Sequence, residues 1–409
     1  MSTAPMDRTS SPAALAELPA VPLLDVCRDN DALGEEILAA IDRVVRSGQF
    51  VLGPDVRLLE EQFAALTQSG FAVGCSSGSD SLLLALMACG VSDGDEVIMP
   101  SYTFFATASA AWRLGALPVF VDVDPVSYNI DPAAIEEAIT PATKAILPVH
   151  LFGQCAEMQP LAQIAREHNL ALIEDAAQAI GAELAGRRAG SLADVGCFSF
   201  YPTKNLGGMG DGGMLTTDSE ELADRLQLLR GHGMRPRYFH QQVGINSRLD
   251  SIQAAVLNVK LPHLDTWTAA RQENAGRYER LFAQCGLEAD VTVPQALAGR
   301  RHVWNQYVIR VAGGRRDALR EHLTQAKIGT EIYYPVPLHL QECFAELGYR
   351  DGSLPHTEQA AAETLALPIF PGLNGQEQHA VVSQIAAFYG AALPTLETAE
   401  TPTPLSRSA

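Results

Sequence analysis

The residues best suited to chemistry cluster in three short stretches. In Ser199–Gly213, SFYPTKNLGGMGDGG, Lys204 stands directly before five glycines. It follows the apolar run VGCFSFY, which reads as a strand, so its amine projects at a carboxyl-terminal strand end, the edge at which open α/β sheets bind ligands. A phosphate-binding P-loop is excluded because Pro202-Thr203 precede the lysine and the glycines come after it. The plain alternative is a surface lysine beside a flexible turn. Asp175 closes the run LALIED, ahead of Ala-Ala-Gln178, and falls on the same edge as a helix cap or a buried functional acid. Cys75–Ser81, CSSGSDS, joins the strand FAVGC to the helix SLLLALMACG; a turn of small residues entering a helix N-terminus offers free N–H groups and a positive dipole end to a phosphate. An amine, a buried carboxylate and an anion cradle on one sheet edge are what pyridoxal 5′-phosphate (PLP) requires.

Those residues need a scaffold, and the chain supplies one. From Phe71, short apolar runs (FAVGC, EVIMP, LPVFVDV, AILPVHLFG, LALIED, VGCFSFY, GGMLTT) alternate with segments of helical periodicity such as ATASAAWRLG and MQPLAQIAREHN. The intervals favour crossover connections and hence an α/β fold with a mostly parallel central sheet flanked by helices. LPHLDTWTAARQENAGRYERLFAQ reads as a long helix leaving that domain, after which shorter elements predict a smaller C-terminal α+β domain. The expected division is a loose tail over residues 1–20, a large PLP-binding domain over 21–262, a small domain over 263–392 and a second loose tail over 393–409.

Composition narrows the function further. Twenty-nine Lys and Arg against 48 Asp and Glu give a net charge of −19, and no basic block breaks it, so nucleic acid and lipid surfaces are not expected partners. Seven cysteines without a C-x-x-C pair argue against a disulfide framework and suit a reducing cytoplasm. No signal peptide or membrane-length apolar run is visible, and no metal site is expected.

SSGSDSL, PSYTFFATASA, IEDAAQAIGA, SFYPTKNLGGMGDGG and GINSRLDSIQAAVLNVKLPHLD, in that order, resemble the PLP-dependent nucleotide-sugar aminotransferase family, with its aspartate aminotransferase-like, fold type I architecture, over roughly residues 22–389. The resemblance implies that Lys204 is the Schiff-base lysine and proton shuttle. Asp175 matches the carboxylate that keeps the pyridine nitrogen protonated, and Gln178 the residue lying against the ring near its phenolic oxygen. Phe104 matches the stacking aromatic, with core packing as the competing reading. Gly78 and Ser79 match the backbone phosphate cradle, Ser199 a hydroxyl donor to the same phosphate, and Asn246 an asparagine reaching it from the neighbouring subunit, which implies a homodimer with shared active sites. Ile245 departs from relatives that carry an aromatic before this asparagine.

The phrases KNLG and GDGG resemble the branch that aminates nucleotide-linked keto-sugars at C3, with C4 amination as the alternative; the family resemblance implies L-glutamate, with glutamine as the alternative, as the amino donor. EIYYPVPLHLQ matches the segment closing over the sugar, with Tyr334 and His339 as contacts. His232, with Arg230, Arg235 and Arg237, forms a locally basic loop suited to a nucleotide diphosphate. A solvated basic loop is the competing reading for these four, and a surface residue the competing reading for His339. A non-catalytic PLP-binding regulator is the second function. An NAD-binding oxidoreductase is disfavoured because GGMGDGGMLTT leads into a strand rather than a helix.

Overall fold

The computed structural model describes residues 20–395. The parts of the expected tails at 1–19 and 396–409 lie outside the described residues. In chain order the strands are β1 Phe71–Cys75, β2 Glu96–Pro100, β3 Leu117–Val121, β4 Thr143–Ile146, β5 Ala171–Asp175, β6 Glu183–Leu184, β7 Arg187–Arg188, β8 Val195–Ser199, β9 Gly213–Thr217, β10 Val291–Thr292, β11 Arg300–Arg301, β12 Tyr307–Val311 and β13 Thr364–Leu367. A seven-stranded sheet runs in the order β1-β9-β8-β5-β4-β2-β3. Only β9 opposes its neighbours; the pairs from β8 to β3 are parallel.

Both faces of this sheet are covered, which is why β8 and β9 read as continuous apolar or small-residue runs. Alternate residues point into opposite layers: Ile98 joins one core cluster, while Val97 and Met99 join the other. The helices along the chain are α1 Val26–Asp31, α2 Gly34–Ser47, α3 Pro54–Thr67, α4 Gly78–Ala88, α5 Phe105–Trp112, α6 Ile135–Ala138, α7 Met158–His168, α8 Glu220–Leu229, α9 Ser251–Lys260, α10 Leu264–Cys285, α11 Arg316–Gln325, α12 Pro355–Glu363 and α13 Gly375–Tyr389. Apolar residues of α3, α7 and α9 fill the first layer, and those of α4, α5 and α8 the second.

A third core lies between α10, α11, α13 and the sheet β10-β12-β13. The chain crosses between cores more often than a single break near residue 262 implies. Val21 bridges Ile328 and packs in the C-terminal core, whereas Leu338, Phe344 and Leu354 pack in the second layer of the large sheet. Leu393 also packs on the C-terminal core, and the Thr395 N–H donates to Gln284 at 2.8 Å, so the expected second tail is docked over its first residues.

Candidate active site

Lys204 sits five residues beyond the end of β8, in a loop held from several sides. The Lys204 N–H donates to the Tyr201 carbonyl at 2.9 Å, and the Gly208 N–H to the Phe200 carbonyl at 2.8 Å. Asn205 Nδ2 donates to the Val303 carbonyl at 2.8 Å, the buried Lys260 Nζ to the Gly207 carbonyl at 2.7 Å, and the Met209 N–H to Gln253 Oε1 at 2.8 Å. A Cβ at Gly207 would stand 2.3 Å from the Pro202 carbonyl oxygen. The glycines therefore let backbone approach backbone, and the result is a fixed platform, not a flexible turn. On it the half-buried Lys204 amine is pushed down to about 8 by burial, against the opposing pull of the Asp175 carboxylate.

Asp175, 4% exposed, ends β5 beside β8. Burial pushes its carboxyl above the usual range; the Thr107 hydroxyl, the Ala177 N–H, Lys204 and His150 pull the other way. Thr107 Oγ1 donates to Oδ2 at 2.8 Å and the Ala177 N–H to Oδ1 at 3.2 Å. No helix follows before β6, so Asp175 does not cap one. The preceding Glu174 is fully buried and accepts from the Gly190 and Leu192 N–H groups at 2.8 and 2.7 Å. His150 Nδ1 accepts from the Ala156 N–H, which leaves Nε2–H to donate to Glu174 at 2.8 Å.

The expected anion seat coincides with the first turn of α4. Ser77 caps it, its Oγ accepting from the Asp80 N–H at 3.1 Å, and the N–H groups of Gly78 and Ser79 fall in the turn where a helix supplies no carbonyl partner. A Cβ at Gly78 would stand 2.6 Å from Ser199 Cβ and 3.0 Å from its Oγ, so Ser199 lies directly over this turn. Asn246 is exposed, and among the described residues its side chain makes no hydrogen bond. Its neighbour Ser247 is buried and bonded to Ser76 beside the cradle, at 2.9 Å between hydroxyls. Residues 246 and 247 thus point opposite ways, one to solvent and one to the chain's own cradle.

Gln178 is buried, its Oε1 accepting from the Phe152 N–H at 2.7 Å and its Nε2 donating to the Tyr334 hydroxyl at 2.8 Å. The structure therefore joins Tyr334 to a residue expected at the cofactor. Phe104 is 59% exposed at the start of α5, which disposes of the core-packing reading for its ring.

The remaining expected contacts are placed differently. His339 is 2% exposed, with Nδ1 2.7 Å from Ser101 Oγ and Nε2 3.1 Å from Glu358 Oε1; both ring nitrogens are occupied, so it acts as an internal tie rather than a sugar contact or a surface residue. The basic loop is smaller than its sequence suggests. Arg230 is buried against Glu60 and the Gly74 carbonyl, and Arg235 pairs with Asp224 at 2.7 Å. His232 and Arg237 are exposed, the latter with its guanidinium 4.9 Å from the ring centre of its own neighbour Tyr238. Sequence reasoning missed Thr107, whose only local sign is that it lies on α5 three residues after Phe104, and Lys260, whose apolar surroundings in the helix hinted at burial.

An amine of lowered basicity, a buried carboxylate and a glycine-dependent cradle on one edge of the sheet are the arrangement that a fold type I, PLP-dependent aminotransferase requires. The residues present fit that cofactor: Lys204 would hold its aldehyde carbon, Asp175 would face its ring nitrogen, and the α4 turn with Ser199 would receive its phosphate. The DegT/DnrJ/EryC1/StrS aminotransferase family matches residues 31–386, and the chain belongs to it. It is 50% identical over 369 residues to a "Pleiotropic regulatory protein" of Geobacillus stearothermophilus, covering 90% of this chain and 98% of that one. It is 44% identical to a dTDP-3-amino-3,4,6-trideoxy-alpha-D-glucose transaminase of Streptomyces venezuelae, covering 90% and 96%. The crystal structure of S. venezuelae DesV in complex with a ketimine intermediate superposes with a TM-score of 0.87 at 43% identity, covering 90% and 98%. The protein is a PLP-dependent sugar aminotransferase.

Proposed function

We propose that the protein transfers the amino group of L-glutamate to C3 of a nucleotide-linked keto-sugar, working in the cytoplasm as a homodimer with shared sites. The observation carrying the reaction is the pairing of Lys204, its amine lowered to about 8, with the buried Asp175 on one sheet edge. When bound, PLP draws electrons from the bond that breaks at the donor's α-carbon. Lys204 Nζ takes the proton from that carbon and returns one to the acceptor carbon, a task that an amine partly neutral near pH 8 can perform. Asp175 would hold the proton on the pyridine nitrogen, the α4 turn and Ser199 would anchor the phosphate, and Gln178 is held in place by Phe152 and Tyr334.

The C3 assignment rests on KNLG and GDGG around Lys204, together with 44% identity to a relative named for a 3-amino sugar. His232, Arg237 and Tyr334 are the proposed substrate-side residues. Shared sites are supported by Asn246, exposed and unengaged next to a cradle-bound Ser247. Purified protein offered L-glutamate with a panel of nucleotide-linked 3-keto and 4-keto sugars should form 2-oxoglutarate with the 3-keto members; turnover confined to 4-keto sugars would overturn the C3 reading. The relative named as a pleiotropic regulator favours a second reading, a PLP-binding regulator. That reading requires cofactor binding without turnover on any member of the panel.

A further inference from the structure

Asp175 does not stand alone. Its Oδ2 accepts from Thr107 Oγ1 at 2.8 Å, and Thr107 Oγ1 lies 3.2 Å from Thr103 Oγ1. Thr107 is fully buried and Thr103 is 3% exposed. A carboxylate only accepts, so the single Thr107 proton must go to Asp175, and Thr107 then receives the proton of Thr103. The chain of donors runs one way, Thr103 to Thr107 to Asp175. Its anchor is rigid: Thr107 is the third residue of α5, a helix packed on β2 and β3 and begun by the exposed Phe104.

We propose that Thr107 is a positioning residue that fixes the Asp175 rotamer and keeps its carboxylate ionised, with Thr103 orienting the Thr107 hydroxyl. This rests on the reading of Asp175 as the partner of the cofactor's ring nitrogen. Burial favours the neutral acid, and a neutral acid cannot hold a pyridinium proton. The titratable groups around Asp175 are few. Lys204 approaches from the loop after β8 and His150 from the segment after β4, while Cys197 on β8 and Tyr334 also feel the Asp175 charge. Of the two donors hydrogen-bonded to the carboxylate, the Ala177 N–H is backbone, and Thr107 is the one side chain. The same helix turn carries Phe104, so the ring face and ring nitrogen are served by one rigid element.

Thr107→Val keeps the shape and removes the hydroxyl, and Thr107→Ser restores it. In the apo-protein, the Asp175 carboxyl can be followed by infrared difference titration against Asp175→Asn. Thr107→Val should raise its midpoint by about 1–2 pH units, the equivalent of one hydrogen bond to a charged group, while Thr107→Ser stays near wild type. Thr103→Val should move it the same way by less. In the loaded enzyme, Thr107→Val should lower kcat about tenfold or more with little change in the glutamate KM. Should Thr107→Val fail to fold, Thr107→Ala carries the same comparison with Thr107→Ser. Identical midpoints and kcat for the hydroxyl-free and hydroxyl-bearing variants would overturn the inference. Wild-type activity in Asp175→Asn would instead sink the underlying ring-nitrogen reading, so the two failures are separable.

Discussion

Gly78→Ala puts two rules in opposition. Gly78 is the first residue of α4 and its φ is not positive, so by helix propensity alone alanine should stabilise by up to about 1 kcal/mol. The added Cβ, however, would meet Ser199 Cβ at 2.6 Å, Oγ at 3.0 Å and Cα at 3.2 Å. Carbon pairs rest at roughly 3.5–4.0 Å, so the helix turn and the end of β8 must part by about 1 Å. Overpacking of this kind costs about 1–3 kcal/mol, which cancels or exceeds the propensity gain. The larger effect is on cofactor binding, because the two parted elements are the proposed phosphate donors. Loss of one hydrogen bond to a charged group, about 1.5–3 kcal/mol, weakens binding by roughly 10–100-fold. Thermal unfolding of the apo-protein and equilibrium titration with PLP measure the two effects separately. Gly34→Ala is the control, since Gly34 also opens a helix and nothing lies within 4 Å of its Cβ position; it should stabilise without touching affinity. Ser199→Gly in the Gly78→Ala background should recover stability but not affinity, because the hydroxyl is gone. Wild-type PLP affinity together with an unchanged or raised melting temperature in Gly78→Ala would refute the close-approach argument.

Borohydride treatment of the loaded enzyme should fix the cofactor on Lys204, and recovery on Lys144 or Lys260 by peptide mapping would displace the site. Because burial lowers the Lys204 amine to about 8, its reactivity toward an aldehyde should rise as pH climbs through about 8 and level off above; a midpoint near 10.5 would contradict the desolvated setting. His302, buried and stacked on Trp304 at 3.8 Å, is lowered to about 3, so the folded state holds it neutral where the unfolded chain, titrating near 6.5, takes up a proton. Above about pH 6.5 the ring is neutral in both states and costs nothing, whereas below it the folded state loses stability at about 1.4 kcal/mol per pH unit as pH falls toward 3; denaturant titrations of wild type and His302→Asn from pH 7 to 5 should show a shallower slope in the variant, and equal slopes would be the contrary result. Mixing Lys204→Ala with Asn246→Asp subunits should restore activity through heterodimers with one intact site; verified exchange without activity would place both residues in one chain's site.

The strand ends were legible in the sequence to the residue where turn chemistry is sharp. FAVGC and EVIMP are β1 and β2 as written. The start of α4 was not, because Gly78, Ser79 and Asp80 carry no apolar periodicity and the helix begins only because Ser77 caps it. Lys204 and Asp175 could be nominated because a residue type and a strand edge suffice to single them out. His339 could not be placed, since its burial depends on Ser101, 238 positions earlier in the chain, and on Glu358. Thr107 was equally hidden, as its partner Asp175 lies 68 residues on. What the sequence conceals, then, is the identity of buried polar partners, which tertiary contact alone decides.

The glycines after Lys204 illustrate the same boundary. Read locally, five glycines suggest mobility, and a mobile loop is a poor place for a group that must meet a carbon atom to within a few tenths of an ångström. In the fold, the Pro202 carbonyl fills the space a Gly207 side chain would occupy, and Lys260, Asn205 and Gln253 fasten the loop from elements far away in the chain. Small residues here lower the cost of close approach, and the approach is what creates the partly desolvated pocket that lowers the Lys204 amine. Reactivity at this lysine is therefore a property of packing around its loop: any substitution that opens the platform should raise the amine's basicity and reduce its reactivity together, even without touching Lys204.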